Sequence, residues 1–129
     1  STFGGNNVSA AAGLAVLDVI EEEGYVLRAT ETAAYLYEGL KRLADRYDII
    51  GDVRSAGLAI GVELVTDRRA LTPAPAETTR LINLMRDEGL LVGAEGVHEN
   101  IVKIRPPLIF EKSHVDIALA MTERALARL

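Results

Sequence analysis

The sequence predicts an α+β fold, with a small and mostly antiparallel sheet that carries its helices on one face. The hydrophobic patterns follow the order of two helices, a strand pair, a helix, a second strand pair and a last helix. The 129 residues contain no internal repeat, no low-complexity tract and no linker long enough to separate two domains. A composition that is 49% hydrophobic supplies enough apolar side chains for one core.

The first helix is predicted over residues 8–22 and is apolar on nearly all of its sides. Asn6 or Asn7 can cap its N-terminus, and Gly24 ends it. Because a helix that is apolar all round is normally covered by other structure, we expect this helix to be buried. The residues behind this expectation are Ala12, Leu14, Val16, Leu17, Val19 and Ile20.

A second helix is predicted over residues 25–47, with an apolar stripe for the core and a charged side toward water. The stripe consists of Leu27, Ala34, Leu36, Leu40 and Leu43. Beyond this helix, residues 53–55 and 58–65 are predicted to be two strands, with Gly57 in the turn between them.

The second half of the chain is predicted to place another strand pair between two helices. Residues 72–75 mark a loop, and the helix that follows ends at Gly89. Strands are predicted over residues 90–92 and 101–104, and the prolines after the second strand end it.

The last helix is predicted to start at a capping box. Ser113 can accept a hydrogen bond from an early backbone amide, and Asp116 places an acid three residues later, where the helix dipole favours it. From there the helix runs to Leu129.

Composition excludes several classes of function. A net charge of −5 argues against nucleic-acid partners, which require a basic face to displace counterions from phosphates. The absence of cysteine excludes disulfides and cysteine-based zinc sites, and it fits a reducing cytoplasm, which is the location we predict. No apolar run approaches the length of a membrane span, so we expect a soluble protein without a membrane partner.

The first seven residues have the composition of an anion-binding turn. Thr2 supplies a hydroxyl, Gly4 and Gly5 allow close backbone approach, and a helix is predicted to begin near Asn7 with its positive dipole end. The alternative interpretation is an ordinary capped helix preceded by a flexible turn, and the residue types alone leave both open.

Three blocks of sequence resemble the class III aminotransferases, in the order in which that family has them. The first is residues 1–6 (STFGGN), followed by residues 15–20 (AVLDVI). The second is the strand pair at residues 50–54 (IGDVR) and 57–64 (GLAIGVEL). The third is the double-proline segment at residues 104–108 (IRPPL), so that the resemblance covers nearly the whole chain.

This resemblance implies the C-terminal part of a fold type I enzyme that uses pyridoxal 5′-phosphate (PLP). Residues 1–24 would form an interdomain helix segment and residues 25–129 a small domain. In that family the enzyme is a homodimer, and the threonine at the position of Thr2, with Ser1 beside it, reaches the PLP phosphate in the partner subunit. Substrates would be an amine or amino acid and a keto acid.

The resemblance also implies that the chain holds no catalytic residue of its own. The family's PLP-binding lysine lies in a large domain upstream, and Lys41, Lys103 and Lys112 have no matching context. We therefore expect the chain to be a fragment that is inert without that domain.

Lys103 stands where family members often have an arginine that grips the substrate carboxylate. A lysine cannot form that planar two-bond clamp, which puts ordinary amino-acid recognition in question. Strand alternation places Lys103 and Arg105 on one side, facing either a shared anion or solvent. With residues 96–100 (GVHEN), this lysine resembles the family's ethanolamine-phosphate phospho-lyase branch, which eliminates phosphate from a phosphorylated amine.

Two other functions remain open from the residues alone. The chain could be a stand-alone regulatory module that binds a small anion through Lys103 and Arg105, or a purely structural interaction domain. A metal site is not predicted, because His98 and His114 lack further ligands at metal spacing. Asp52, Arg54 and Glu63 are interpreted as surface ion pairs without a catalytic role.

Overall fold

The structure is a computed structural model that describes residue 2 and residues 4–129. Within that part of the chain, four helices and five strands form. They are α1 (Asn7–Glu22), α2 (Tyr25–Ala44), β1 (Ile50–Ala56), β2 (Ala59–Asp67), β3 (Thr72–Pro73), α3 (Pro75–Glu88), β4 (Gly93–Glu95), β5 (Ile101–Ile104) and α4 (Lys112–Leu126).

Four strands form one antiparallel sheet in the spatial order β1, β2, β5, β4, and the short β3 pairs with the far end of β2. At the centre of this sheet, Val62 lies opposite Val53 of β1 on one side and Val102 of β5 on the other. These three valines are buried on the side covered by the helices. The prediction of an α+β fold with an antiparallel sheet and helices on one face is confirmed.

The core lies between this sheet face and the helices α2, α3 and α4. Alternate residues of β2 point into it, as expected from the two-residue period of a strand. Each fully buried aliphatic side chain stabilises the fold by about 1.5–3 kcal/mol. The helices are therefore held on this face of the sheet, and the opposite face is left without helices. Its largest members are Leu36, Leu40, Leu43, Ile50, Ile60, Val62, Leu64, Leu81, Met85, Val102, Val115 and Leu126.

The first helix forms as predicted but is not buried within this chain. Asn6 caps α1, since its Oδ1 atom accepts a 2.9 Å hydrogen bond from the backbone N–H of Ser9. No residue of α1 is buried, and Val8, Leu14 and Leu17 are each at least 60% exposed. The apolar side chains from which burial was predicted are present on α1, but no other part of the described chain buries them.

The second helix ends three residues earlier than predicted, at Ala44. The backbone N–H groups of Arg46 and Tyr47 both bond to the carbonyl of Leu43, which closes the helix with a turn. In its predicted stripe, Leu36, Leu40 and Leu43 are buried, whereas Leu27 and Ala34 are exposed.

The hairpin between β1 and β2 turns at Gly57, as predicted. Its φ of 57° is in the left-handed region, which glycine adopts without strain. The predicted loop at residues 72–75 instead contributes β3, and α3 begins at Pro75, in the first helical turn where proline is favoured. As predicted, α3 ends at Gly89, whose φ is 105°.

The predicted strand at residues 90–92 is wrong, because the strand there is β4, Gly93–Glu95. In the register of this hairpin Gly93 lies opposite Lys103, so residue 90 would lie opposite Pro106. Proline has no N–H to donate, so a ladder that reached residue 90 would lack a hydrogen bond at that position. Leu90 and Val92 pack against the core instead.

The last helix begins with a different cap from the predicted one. The N-cap is Glu111, and its backbone N–H donates a 3.2 Å hydrogen bond to Nδ1 of His114. Ser113 is exposed, and Asp116 accepts a hydrogen bond from the hydroxyl of Tyr35 on α2. α4 ends at Leu126, three residues before the predicted end.

Candidate anion-binding face of the sheet

The face of the sheet opposite the helices, called here the helix-free face, carries most of the candidate site residues. Lys103 lies between Gly61 of β2 and Gly93 of β4 in the strand register. Because glycine has no side chain, neither of these two neighbours places a side chain beside the lysine. The result is a shallow depression of about 440 Å³, lined among others by Arg54, Glu95 and Lys103.

The structure brings Lys103 and Arg105 together at this depression, as the alternation predicted. Lys103 also forms an ion pair with Glu95 of β4, a diagonal neighbour across the strand pair. The pKa of the Glu95 carboxyl lies below its ordinary value because Lys103 donates a hydrogen bond to it, and the charges of Lys103 and Arg105 act in the same direction. Partial burial opposes this shift.

Sequence reasoning missed Glu95. Its place on the helix-free face follows from the pairing of β4 with β5, in which it lies opposite Ile101. The strand had been predicted over residues 90–92, which left Glu95 in a loop with no assigned direction. Correct strand bounds would have placed Gly93 and Glu95 on one face, and the register with β5 is what brings Glu95 to Lys103.

A second ion-pair network lies beside the first. Arg54 donates hydrogen bonds to Asp52 at 2.9 Å and to Glu63 at 2.7 Å. The hydrogen bond to Glu63 is the main cause that raises the pKa of Arg54, and that to Asp52 adds to it. Asn100 is buried and ties the loop before β5 to β2, since its Nδ2 atom donates a 2.9 Å hydrogen bond to the carbonyl of Leu64.

The cofactor candidates lie apart from this depression. Thr2 is exposed in the turn region that precedes α1, and it is not among the residues lining the depression. Gly5 has a φ of 84° and free space around it, so the turn needs glycine for its backbone conformation. Thr2 lies four residues before Asn6, the N-cap of α1. Ser1 lies outside the described residues.

The remaining polar candidates bring no metal site. Among the described residues, no group of three or more acidic, histidine or cysteine side chains could hold a metal ion. His98 and His114 are both exposed. Within the same part of the chain, no helix has the length and hydropathy that crossing a bilayer requires.

Comparison with characterised proteins assigns the chain to a family. Residues 1–126 match the family model described as aminotransferase class-III. The chain is 44% identical over its whole length to alanine–glyoxylate aminotransferase 2 homolog 2, mitochondrial, of Arabidopsis thaliana. It is 36% identical over 99% of its length to alanine–glyoxylate aminotransferase 2, mitochondrial, of Homo sapiens. It spans 27% and 25% of these two relatives, about a quarter of their length.

Solved structures agree in fold. A phospholyase from Arthrobacter in complex with phosphoethanolamine matches 97% of this chain with a TM-score of 0.91 and 41% identity, and the match covers 30% of that protein. An amine transaminase from an uncultivated Pseudomonas species, in its PLP-bound form, matches 99% of this chain with a TM-score of 0.89 and 34% identity, over 29% of that protein.

The prediction of a cytoplasmic location is wrong, because the Arabidopsis and human relatives are both named mitochondrial. A chain without cysteine is compatible with any redox compartment, so composition had no power to decide the matter.

The sequence blocks at the start, middle and end of the chain, the antiparallel fold and the match over residues 1–126 all agree. The chain belongs to the class III aminotransferase family.

Proposed function

We propose that this chain is the C-terminal part of a PLP-dependent aminotransferase that transfers an amino group between an amine or amino acid and a keto acid. The observation that carries the proposal is the family match over residues 1–126. The same match favours an enzyme domain over a stand-alone regulatory module or a structural interaction domain. The covalent lysine would come from a part of the protein outside these 129 residues.

In this proposal, residues 1–24 form an interdomain segment and residues 25–129 a small domain. The second assignment is supported by the core, which is built entirely from residues after Gly24. The first is supported by α1, which exposes its apolar side chains and buries none. Such a surface normally requires a partner, and the rest of the protein and a second subunit of a homodimer are the partners that we propose.

Thr2 would hold the cofactor from across the dimer, with Ser1 beside it. A hydroxyl that donates to a phosphate forms a charge-assisted hydrogen bond, which is stronger than a neutral one. When bound, PLP supplies the electron sink of amino-group chemistry, and the protein supplies binding and orientation. None of the chain's three lysines fits the covalent role: Lys103 is paired with Glu95, Lys112 lies over the ring of Tyr35, and Lys41 lies on α2.

Lys103 and Arg105 would orient the substrate by its anionic group. Both line the depression on the helix-free face, where the glycines opposite Lys103 leave room for a small ligand. A lysine binds as a point charge and accepts anions of different shapes, whereas an arginine fork matches a planar carboxylate. The chemistry of these two residues is therefore suited to a tetrahedral phosphate as well as a carboxylate.

A specific observation favours phosphate elimination from a phosphorylated amine as a second candidate. The phospholyase from Arthrobacter, which was solved with phosphoethanolamine, matches this chain at 41% identity. Two cationic side chains at one depression suit a ligand that carries about −1.5 to −2 charges near neutral pH.

The test uses the full-length protein. After incubation with PLP and removal of the excess, we expect a stable visible absorbance band, and none for the 129-residue chain alone. Assays with alanine and glyoxylate, and separately with phosphoethanolamine, then measure pyruvate formation and phosphate release. Pyruvate without phosphate supports the aminotransferase, and phosphate without pyruvate supports the phospho-lyase. A full-length protein that retains no PLP and catalyses neither reaction contradicts both.

A further inference from the structure

Two cationic side chains of the helix-free face are already paired with carboxylates of the same chain. Arg54 is held by Asp52 and Glu63, and Lys103 is held by Glu95. Within the described part of the chain, Arg105 forms no ion pair at all. An anion that binds at Lys103 therefore competes with the carboxylate of Glu95.

The geometry allows this exchange without refolding. The side chains of Lys103 and Glu95 are 33% and 52% exposed, so water can solvate either group once the pair opens. The backbone of Glu95 is paired with Ile101 of β5, and a rotation of the Glu95 side chain is enough to open the ion pair.

We propose that Glu95 is a specificity-determining residue that acts through Lys103: its carboxylate occupies the lysine until a substrate anion displaces it. This inference rests on the proposed function, in which Lys103 and Arg105 bind the substrate anion. An unpaired lysine would attract any small anion in solution. The ion pair with Glu95 lowers the affinity of the protein for anions that bind through Lys103 alone. A substrate held at a second point overcomes the competition.

The test measures binding of inorganic phosphate to the full-length protein by calorimetry, in a double-mutant cycle. Because an exposed ion pair is weak, Glu95→Gln should tighten phosphate binding by about 1.4-fold to fivefold. In the Lys103→Gln background the same substitution should have a smaller effect, since no lysine remains to be released. Glu99→Gln is the matched control, because it removes the same charge from an exposed residue nearby.

A kinetic readout accompanies the binding data. Glu95→Gln should lower KM for the anionic substrate and leave kcat unchanged, since the exchange affects binding and not the chemical step. Equal effects of Glu95→Gln with and without Lys103, or equal effects of Glu95→Gln and Glu99→Gln, overturn the proposal. Phosphate binding that Lys103→Gln does not change also overturns the proposal, because Lys103 is then not part of an anion-binding site. Retention of PLP and amino-group transfer are measured separately and decide the enzyme class on their own.

Discussion

The guanidinium of Arg54 donates a 2.7 Å hydrogen bond to the carboxylate of Glu63 on the neighbouring strand. The two side chains are 52% and 28% exposed, so water screens much of their attraction. With Asp52 as a second acceptor, they form a surface network at the edge of the depression that contains Lys103.

For this network we expect a small structural effect and no catalytic one. Glu63→Gln should lower the free energy of unfolding by about 1 kcal/mol or less, as is typical of exposed pairs. The loss should shrink in 1 M salt, where screening is strong. Denaturant titration and kcat of the full-length enzyme provide the measurements. A large fall in kcat at unchanged stability would give Glu63 the catalytic role that the sequence argued against.

The ion pairs between α3 and α4 should stabilise the fold to an extent that depends on pH. Glu88 accepts hydrogen bonds from Arg124 at 2.6 Å and from Arg128 at 3.0 Å. The pKa of Glu88 lies below its ordinary value of 4.5, first because of the hydrogen bond from Arg124, and the charges of both arginines add to this while partial burial opposes it. A carboxyl with a lower pKa in the folded state stabilises the fold above its unfolded pKa, and this stabilisation is lost as the pH falls through its folded pKa.

Glu88→Gln should therefore lower Tm at pH 7, and the difference from the wild type should narrow as the pH falls below about 4. Thermal unfolding at a series of pH values measures it. Glu38→Gln serves as the control, because this exposed glutamate on α2 has no ion pair among the described residues. A Tm difference for Glu88→Gln that stays constant with pH would mean that shape, and not charge, matters at this position.

Close packing of α2 on α4 leaves little room for a side chain at position 39. A Cβ atom on Gly39 would overlap the side chain of Leu119. Gly39→Ala should destabilise the fold by about 1–3 kcal/mol, the usual cost of overpacking. In a Leu119→Ala background the obstacle is gone, and Gly39→Ala should instead stabilise by up to about 1 kcal/mol through its helix propensity. Urea denaturation of the four proteins tests this, and the same sign in both backgrounds would contradict it.

The hydrogen bond from the buried amide of Asn100 should stabilise the fold more than a hydrogen bond of the same length from an exposed amide. Its Nδ2 atom donates to the carbonyl of Leu64 at 2.9 Å, and Asn83 donates to the carbonyl of Thr79 at the same distance on the surface of α3. Asn100→Ala removes one of two hydrogen bonds to the Leu64 carbonyl, which keeps the bond from the backbone N–H of Ala74, and should cost about 0.5–1.5 kcal/mol. Asn83→Ala should change stability by about 0.5 kcal/mol or less. Similar losses in denaturant titrations would argue against burial as the cause.

The sequence predicted most of the fold because its signals were local. Helical periodicity, the glycine turn at Gly57 and the cap by Asn6 depend on neighbouring residues alone. The errors arose where distant residues decide. The bounds of β4 depend on its register with β5, and α1 is not covered by any other part of the described chain.

The candidate site was predicted in part for the same reason. Alternation along one strand placed Lys103 and Arg105 on one face, and the structure agrees. The partner of Lys103 is Glu95, on another strand, and only the register of the sheet brings the two together. Pattern analysis of a single segment cannot supply a register between segments.

Thr2 offers the last prediction, which concerns the cofactor. If its hydroxyl donates to the PLP phosphate of the partner subunit, Thr2→Ala in the full-length enzyme removes a hydrogen bond to a charged group, worth about 1.5–3 kcal/mol. We expect the Kd of PLP to rise by about tenfold to a hundredfold. Ser113→Ala is the control, because this exposed hydroxyl lies in the first turn of α4. Cofactor titration followed by visible absorbance measures both variants, and equal Kd values would reduce Thr2 to a turn residue without a part in the cofactor site.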